Sequence, residues 1–292
     1  MMQPILNWIQ ASRVPSVVNT FIPLLYGVSF TGKSLNTMEH MGLLCLAFFH
    51  SLFIVFFNDS ADEKVDSLNK NFTMYSGGSR VIPEGKIPKK HLFVAGIVIA
   101  TLLLIVTVII AVVTTKYILI VLPIISVFLL YSYSFPPIKL NYRGGGEILQ
   151  GVGCGIVLPI FGFLLFSNEM NIQLTMIVPY FFLHIASSIG TSLPDAKADK
   201  IGGKNTIAVQ LSTPFASIIS ATIIIATSIS IFFLFPILSP TKLFFCFMFP
   251  LLFSLIQLML TPKLQFKTWA VFISGMLPVL STVSFSLGYI LP

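Results

Sequence analysis

The stretch Phe56–Lys70, FFNDSADEKVDSLNK, decides how the rest of the chain is read. It opens at the end of a long apolar run and then sets four acids, Asp59, Asp62, Glu63 and Asp66, within eight positions. The whole chain of 292 residues holds only ten Asp and Glu. If the helix continues past the membrane edge, Asp59, Asp62 and Asp66 share one face, because positions i, i+3 and i+7 align. Asn58 stands at the margin of that face and Glu63 falls off it.

The surroundings are apolar. The chain is 55% hydrophobic and 9% charged, with a mean hydropathy of +0.94. A soluble domain carries about 25% charged residues. The sequence therefore predicts an all-α polytopic membrane protein. Nine runs approach the roughly 20 residues that cross about 30 Å of hydrocarbon. They are Val14–Phe30, Met41–Phe57, His91–Val113, Tyr117–Tyr133, Glu147–Phe166, Ile172–Leu193, Phe215–Ile237, Leu243–Thr261 and Trp269–Leu291. Lipid-exposed backbone must satisfy its own hydrogen bonds, so the runs are helices, and they lack the alternation of a membrane barrel. Met1–Ser12, with Ile5, Leu6, Trp8 and Ile9, reads as an interfacial helix. Arg13 then leads straight into a span, which argues against a cleavable signal peptide.

Lys and Arg set the expected orientation. With nine spans, the side holding the N-terminus and the acidic loops carries 14 of the 17, and the opposite side only Lys33, Lys116 and Lys242. The positive-inside rule puts the richer side in the cytoplasm. The net charge of +7 then faces anionic lipid, and with no basic domain outside the membrane a nucleic-acid partner is not expected. No motif points to a protein partner. Cys45, Cys154 and Cys246 lie singly in apolar runs and suggest neither a disulfide framework nor a metal site.

Two cytoplasmic loops are long, Asn58–Lys90 and Asp195–Pro214, and such loops in a compact protein carry function. Each begins with acids at the end of a span. Each runs on into a Gly-rich basic stretch, SGGSRVIPEGK (Ser76–Lys86) or KADKIGGKNT (Lys197–Thr206). In the second loop Asp195 and Asp199 are i, i+4 on one helical face. Five carboxylates from two helix ends repel one another unless cations neutralise them. All-oxygen donors of this kind suit Mg²⁺, which bridges a few carboxylates to substrate phosphates. Gly77–Gly78 and Gly202–Gly203 allow backbone N–H groups close to an anion, and Arg80 and Lys204 follow them. A diphosphate would meet metal on one side and cations on the other.

These residues carry a resemblance. NDSADEKVD (Asn58–Asp66) matches the NDxxDxxxD signature of the UbiA superfamily of intramembrane prenyltransferases. LPDAKADKIGGKNTIAV (Leu193–Val209) resembles its second acidic motif, and YSYSFPPIKL (Tyr131–Leu140) resembles the proline-rich element between them. The segments Gly77–Ile87 and Ser12–Val28 resemble the basic loop and the first helix. The whole chain, 1–292, is thus read as one domain of nine transmembrane helices around a central cavity open to lipid.

The resemblance implies Mg²⁺-dependent transfer of a prenyl chain from a polyprenyl diphosphate to an aromatic acceptor, most like the menaquinone-pathway branch. Carried over by position, the metal ligands would be Asn58, Asp59, Asp62, Asp66, Asp195 and Asp199. Asp195 and Asp199 would also be the catalytic carboxylates, with Asp195 favoured as proton acceptor. Arg80, Lys139, Lys197 and Lys204 would contact the diphosphate. Arg13, Arg143, Tyr133 and His184 are candidates for the acceptor, His184 because it lies three helical turns before Asp195. Ser60 and Ala61 depart from the aromatic residues usual after ND. A cyclase of the same superfamily would keep the diphosphate chemistry without an acceptor. A transporter would set its acids near the bilayer midplane, often beside broken helices.

Overall fold

A computed structural model of the chain describes residues 2–70, 72, 77–169, 172–234 and 239–291. Met1 of the expected interfacial helix, Ser76 and the end of the span expected at 215–237 lie outside the described residues. Among the described residues the secondary structure is helical, without strands.

Among the described residues eight helices are long and apolar enough to cross a membrane. In chain order the elements are α1 (Met2–Ser12), α2 (Val18–Ser29), α3 (Thr37–Leu68), α4 (Lys89–Thr114), α5 (Val121–Ser134), α6 (Gly146–Phe166) and α7 (Leu174–Ser192). They continue with α8 (Ala196–Ile201), α9 (Ile207–Leu211), α10 (Thr213–Leu234), α11 (Pro240–Lys263) and α12 (Thr268–Ile290). The ninth expected span, Val14–Phe30, is a 3₁₀ turn at Val14–Val17 running into the 12-residue α2. It is helical and central but shorter than the other eight.

Helix α3 has 32 residues, about 48 Å at 1.5 Å per residue. That exceeds a hydrocarbon core of about 30 Å, so its acidic end stands clear of the bilayer. A capping box starts it: Glu39 N–H donates to Asn36 Oδ1 and Asn36 N–H to Glu39 Oε2, both at 2.9 Å.

Helices α2, α3, α5, α6, α7 and α12 form a closed ring, and α4, α10 and α11 pack outside it. At the end away from the acids, α2 and the second half of α6 touch backbone to backbone. A Cβ on Gly27 would come within 1.9 Å of the Pro159 carbonyl oxygen, and one on Gly162 within 2.0 Å of that of Leu24. Small residues permit this approach, and it closes the far end of the space inside the ring. Interhelical hydrogen bonds add to it, such as Tyr26 Oη to the Met176 carbonyl at 2.8 Å and Ser220 Oγ to that of Ala186 at 2.9 Å. The three cysteines are free thiols.

Candidate functional site

Between α2, α3, α5, α6 and α7 lies a cavity of about 330 Å³. Its inner wall mixes apolar Phe53, Leu129, Leu130 and Leu158 with polar Thr20, His50 and Ser126. Its open end is polar and charged, with Arg13, Asn58, Glu147, Asp195, Asp199 and Lys204. One space thus joins a partly apolar pocket to an ionic mouth.

Asp59, Asp62 and Asp66 stand on α3 just behind that mouth, on one face as their spacing predicts. The opposing acids are reached differently. Helix α7 stops at Ser192, and Pro194, without an N–H to donate, helps end it. Asp195 precedes the short helix α8, and Asp199 N–H bonds back to the Asp195 carbonyl at 2.8 Å. The pair keeps its one-turn spacing but belongs to this separate helix, not to the spanning one.

Lys204 joins the two sets. Its ammonium lies 2.9 Å from Asp62 Oδ2 and 3.3 Å from Asp199 Oδ1. Burial works against the Lys204 charge, yet Asp62 and Asp199 outweigh it and raise the pKa of the ammonium. Burial pushes the Asp199 carboxyl up to about 6, although Lys204 pulls it back. Tyr142 Oη donates to Asp62 Oδ1 at 3.1 Å, and burial followed by the Asp62 charge raises its pKa.

The first Gly-rich loop is turned toward the acids. Ser79 N–H donates to Asp59 Oδ2 at 2.9 Å, and Gly77 N–H to Asp195 Oδ2 at 3.4 Å. Gly77, expected to offer its N–H to an anion, here donates it to a carboxylate, as Ser79 does. Gly78 adopts φ +68°, and a Cβ there would lie 2.1 Å from Asp66 Oδ2 and 3.3 Å from Asp59 Oδ1. Arg80 reaches over it, donating to the Asp66 carbonyl and stacking on the Phe72 ring at 4.4 Å. Asn69 Nδ2 donates to Asp195 Oδ1 at 2.7 Å.

Other expected residues divide. Asn58 lines the cavity and accepts from Ser134 Oγ at 2.7 Å. Arg13 lines it too, 3.7 Å from Asp59 Oδ1, and Tyr133 lines its wall. His184 does not line it, contrary to expectation; its ring packs on Tyr180 at 4.6 Å. Lys139 also lies off the cavity, its ammonium over the Tyr142 ring at 3.5 Å, beside a separate groove with Lys89, Lys90, Phe93 and Phe135. Arg143 and Lys197 are exposed and outside the cavity lining. Glu63 pairs with Lys89 at 3.1 Å, away from the cluster.

Sequence reasoning missed Glu147, Asn141, Tyr142 and Asn69. Glu147 is buried in the cavity wall and accepts from Ile207 N–H at 2.7 Å, fixing the start of α9. Asn141 accepts Asn205 N–H at its carbonyl, 3.1 Å, holding the same loop. None has a spacing partner that would single it out.

Among the described residues no three acids, histidines or cysteines converge on one point. The donor set still fits Mg²⁺, which needs only one or two carboxylates beside water and substrate phosphate. The donors are all oxygen, and they form pairs around Gly78 and around Lys204, where a Cβ or an ammonium marks the space between two carboxylates.

Fold and site define a polytopic helical membrane protein with an acid-rimmed central cavity. A model of the UbiA prenyltransferase family matches residues 20–283, and the chain belongs to that family. It is 23% identical over 205 residues to the 1,4-dihydroxy-2-naphthoate octaprenyltransferase of Bacillus subtilis, covering 68% of this chain and 64% of that relative. Among solved structures, a UbiA homolog from Archaeoglobus fulgidus bound to GPP and Mg²⁺ superposes with TM-score 0.70 at 16% identity. That match covers 97% of this chain and 99% of the other. The apo UbiA homolog from Aeropyrum pernix K1 gives TM-score 0.62 at 12% identity, over 91% and 96% of the two chains. These likenesses establish the fold.

Proposed function

We propose that the protein transfers a prenyl chain from a polyprenyl diphosphate to an aromatic quinone precursor and releases diphosphate. The observation that carries this reading is the join of a cavity with an apolar stretch of wall to a mouth where Lys204 bridges Asp62 of one acidic motif and Asp199 of the other. A prenyl diphosphate has the same division, an insoluble tail and a polyanionic head. The names of the Bacillus and Archaeoglobus relatives support an aromatic acceptor and an allylic diphosphate donor, respectively.

Asn58, Asp59, Asp62, Asp66, Asp195 and Asp199 would hold Mg²⁺, which when bound neutralises the leaving diphosphate. Lys204, inside the cluster, offers the diphosphate a cation, and Arg80 stands at the loop above it. The C1–O bond breaks, and the face of Tyr133 and the ring of Phe53 stabilise positive charge growing on the prenyl carbons. A carbon of the acceptor ring bonds to C1. Asp195, in the cavity wall, takes the proton the acceptor releases. Arg13 is placed to hold an acidic group of the acceptor at the mouth. The mouth faces the cytoplasm in the orientation that the Lys and Arg distribution favours.

The test uses membranes carrying Asp62→Ala or Asp195→Ala, radiolabelled prenyl diphosphate, Mg²⁺ and a panel of aromatic acceptors. Each variant is expected to lose at least about 100-fold in transfer, the scale of losing a transition-state charge stabiliser. Undiminished transfer by both would remove the carboxylates from the reaction. Cyclic hydrocarbon formed without acceptor would identify a cyclase instead.

A further inference from the structure

Gln10, near the end of helix α1, and Arg13, just past it, act on the two oxygens of Asp59, one through Ser79 and one directly. Gln10 Nε2 donates to the Ser79 carbonyl at 2.7 Å, and Ser79 N–H donates to Asp59 Oδ2 at 2.9 Å. Arg13, one turn on, faces the other oxygen, Oδ1, at 3.7 Å. Ser79 is buried and is held between Gly78 and Arg80, both at positive φ. Its N–H and its carbonyl lie on adjoining peptide planes, so holding the carbonyl restrains the amide through one φ, ψ pair. The helix itself is anchored: Ala11 is fully buried, and Trp8 packs edge-on against Phe56 at 5.9 Å, one turn before Asp59. Ile5, Leu6 and Ile9 are exposed, the apolar surface of a helix lying at the lipid interface.

From this geometry we propose that Gln10 is a positioning residue for metal binding. It fixes the Ser79 peptide so that Asp59 Oδ2 stays bonded to the loop and Oδ1 stays turned toward the cavity mouth. The proposal rests on the carboxylate cluster being the Mg²⁺ site. Gln10 makes a second bond that separates this role from simple tethering of the loop. Its Oε1 accepts from Lys86 Nζ at 2.8 Å, farther along the same loop. Cutting that bond leaves the Ser79 link intact. Changing Gln10 to Glu keeps an acceptor for Lys86 but leaves no N–H for the Ser79 carbonyl, and it sets a charge beside Glu84 that Gln10→Leu does not.

The test measures Mn²⁺ binding by electron paramagnetic resonance on the purified full-length protein, alongside the Mg²⁺ dependence of prenyl transfer. Gln10→Glu and Gln10→Leu are expected to weaken Mn²⁺ about three- to tenfold, the worth of one hydrogen bond one step removed from a ligand. They should raise the Mg²⁺ needed for half-maximal rate by a like factor and leave the rate at saturating Mg²⁺ near wild type. Lys86→Met should keep Mn²⁺ affinity within about twofold. Wild-type affinity in both Gln10 variants, or equal weakening by Lys86→Met, overturns the positioning role. Asp195→Ala distinguishes the two levels: if it leaves Mn²⁺ binding intact, the metal site itself is wrong. If it abolishes binding while the Gln10 variants bind normally, only the role of Gln10 fails.

Discussion

The Lys204 ammonium stands 2.9 Å from the Asp62 carboxylate, and this contact joins the two acidic motifs across the cavity mouth. Both side chains are largely buried, so neither charge is well screened by water. Lys204→Met leaves Asp62 and Asp199 without their cation. Removing one partner of a buried pair costs about 3–5 kcal/mol. Melting of the purified protein without Mg²⁺ should fall accordingly. Added Mg²⁺ should recover more of the loss than it adds to wild type, because it supplies the missing charge. Equal shifts in both proteins would contradict a shared cation position.

Gly78 and Gly203 make a controlled pair. Both have positive φ, +68° and +81°, but a Cβ at Gly78 strikes Asp66 Oδ2 at 2.1 Å whereas one at Gly203 meets nothing within 4 Å. Gly203→Ala should cost only the left-handed backbone, about 1–2 kcal/mol. Gly78→Ala adds a clash worth about 1–3 kcal/mol more and displaces a carboxylate. Thermal melting separates the two, and Mn²⁺ binding should suffer only in Gly78→Ala.

Asp199 gives a pH signature. Its carboxyl titrates at about 6 in the folded protein without metal, against about 3.9 for a free Asp. Its contribution to stability is therefore complete below about pH 3.9 and is lost as pH rises through about 6. A divalent cation needs the ionised form, so the Mg²⁺-induced rise in melting temperature should be small at pH 5 and larger at pH 7.5. Asp199→Asn should reduce that difference without abolishing it, because the other carboxylates of the cluster also bind metal only when ionised.

The floor of the cavity yields a prediction independent of chemistry. Gly27→Val and Gly162→Val place side-chain atoms where Pro159 and Leu24 backbone oxygens already lie. Backbone cannot turn aside as a side chain can, so each should cost about 3 kcal/mol or more, the upper range of overpacking. Detergent melting of Gly42→Ala, where a Cβ meets nothing within 4 Å, provides the comparison.

What the sequence made legible follows from periodicity. Asp59, Asp62 and Asp66 share a face because nothing interrupts α3, so helical spacing alone places them. The same arithmetic failed for His184. Counting three turns from Asp195 assumes a continuous helix, and Pro194 stands between α7 and α8. Lys139 escaped for a different reason: it sits at φ +47° after a proline turn, and the direction of a chain leaving such a turn is not written in residue spacing. Gln10 and Glu147 are single polar residues whose partners lie far along the chain, at Ser79 and Ile207. The first span came out short because a 3₁₀ turn at Val14–Val17 replaces its opening helical turn.

The break after Ser192 makes the two acidic motifs mechanically unequal. Asp59, Asp62 and Asp66 belong to a rod that runs uninterrupted from deep in the bilayer, and bending it would break successive backbone hydrogen bonds. Asp195 and Asp199 ride on a short piece joined to its spanning helix by three residues, Leu193–Asp195. The site is a vice with one jaw cast into the frame and the other a separate piece set against it, held by the packing of Leu193 and Ala196 on Ile189, Ala208 and Ala216.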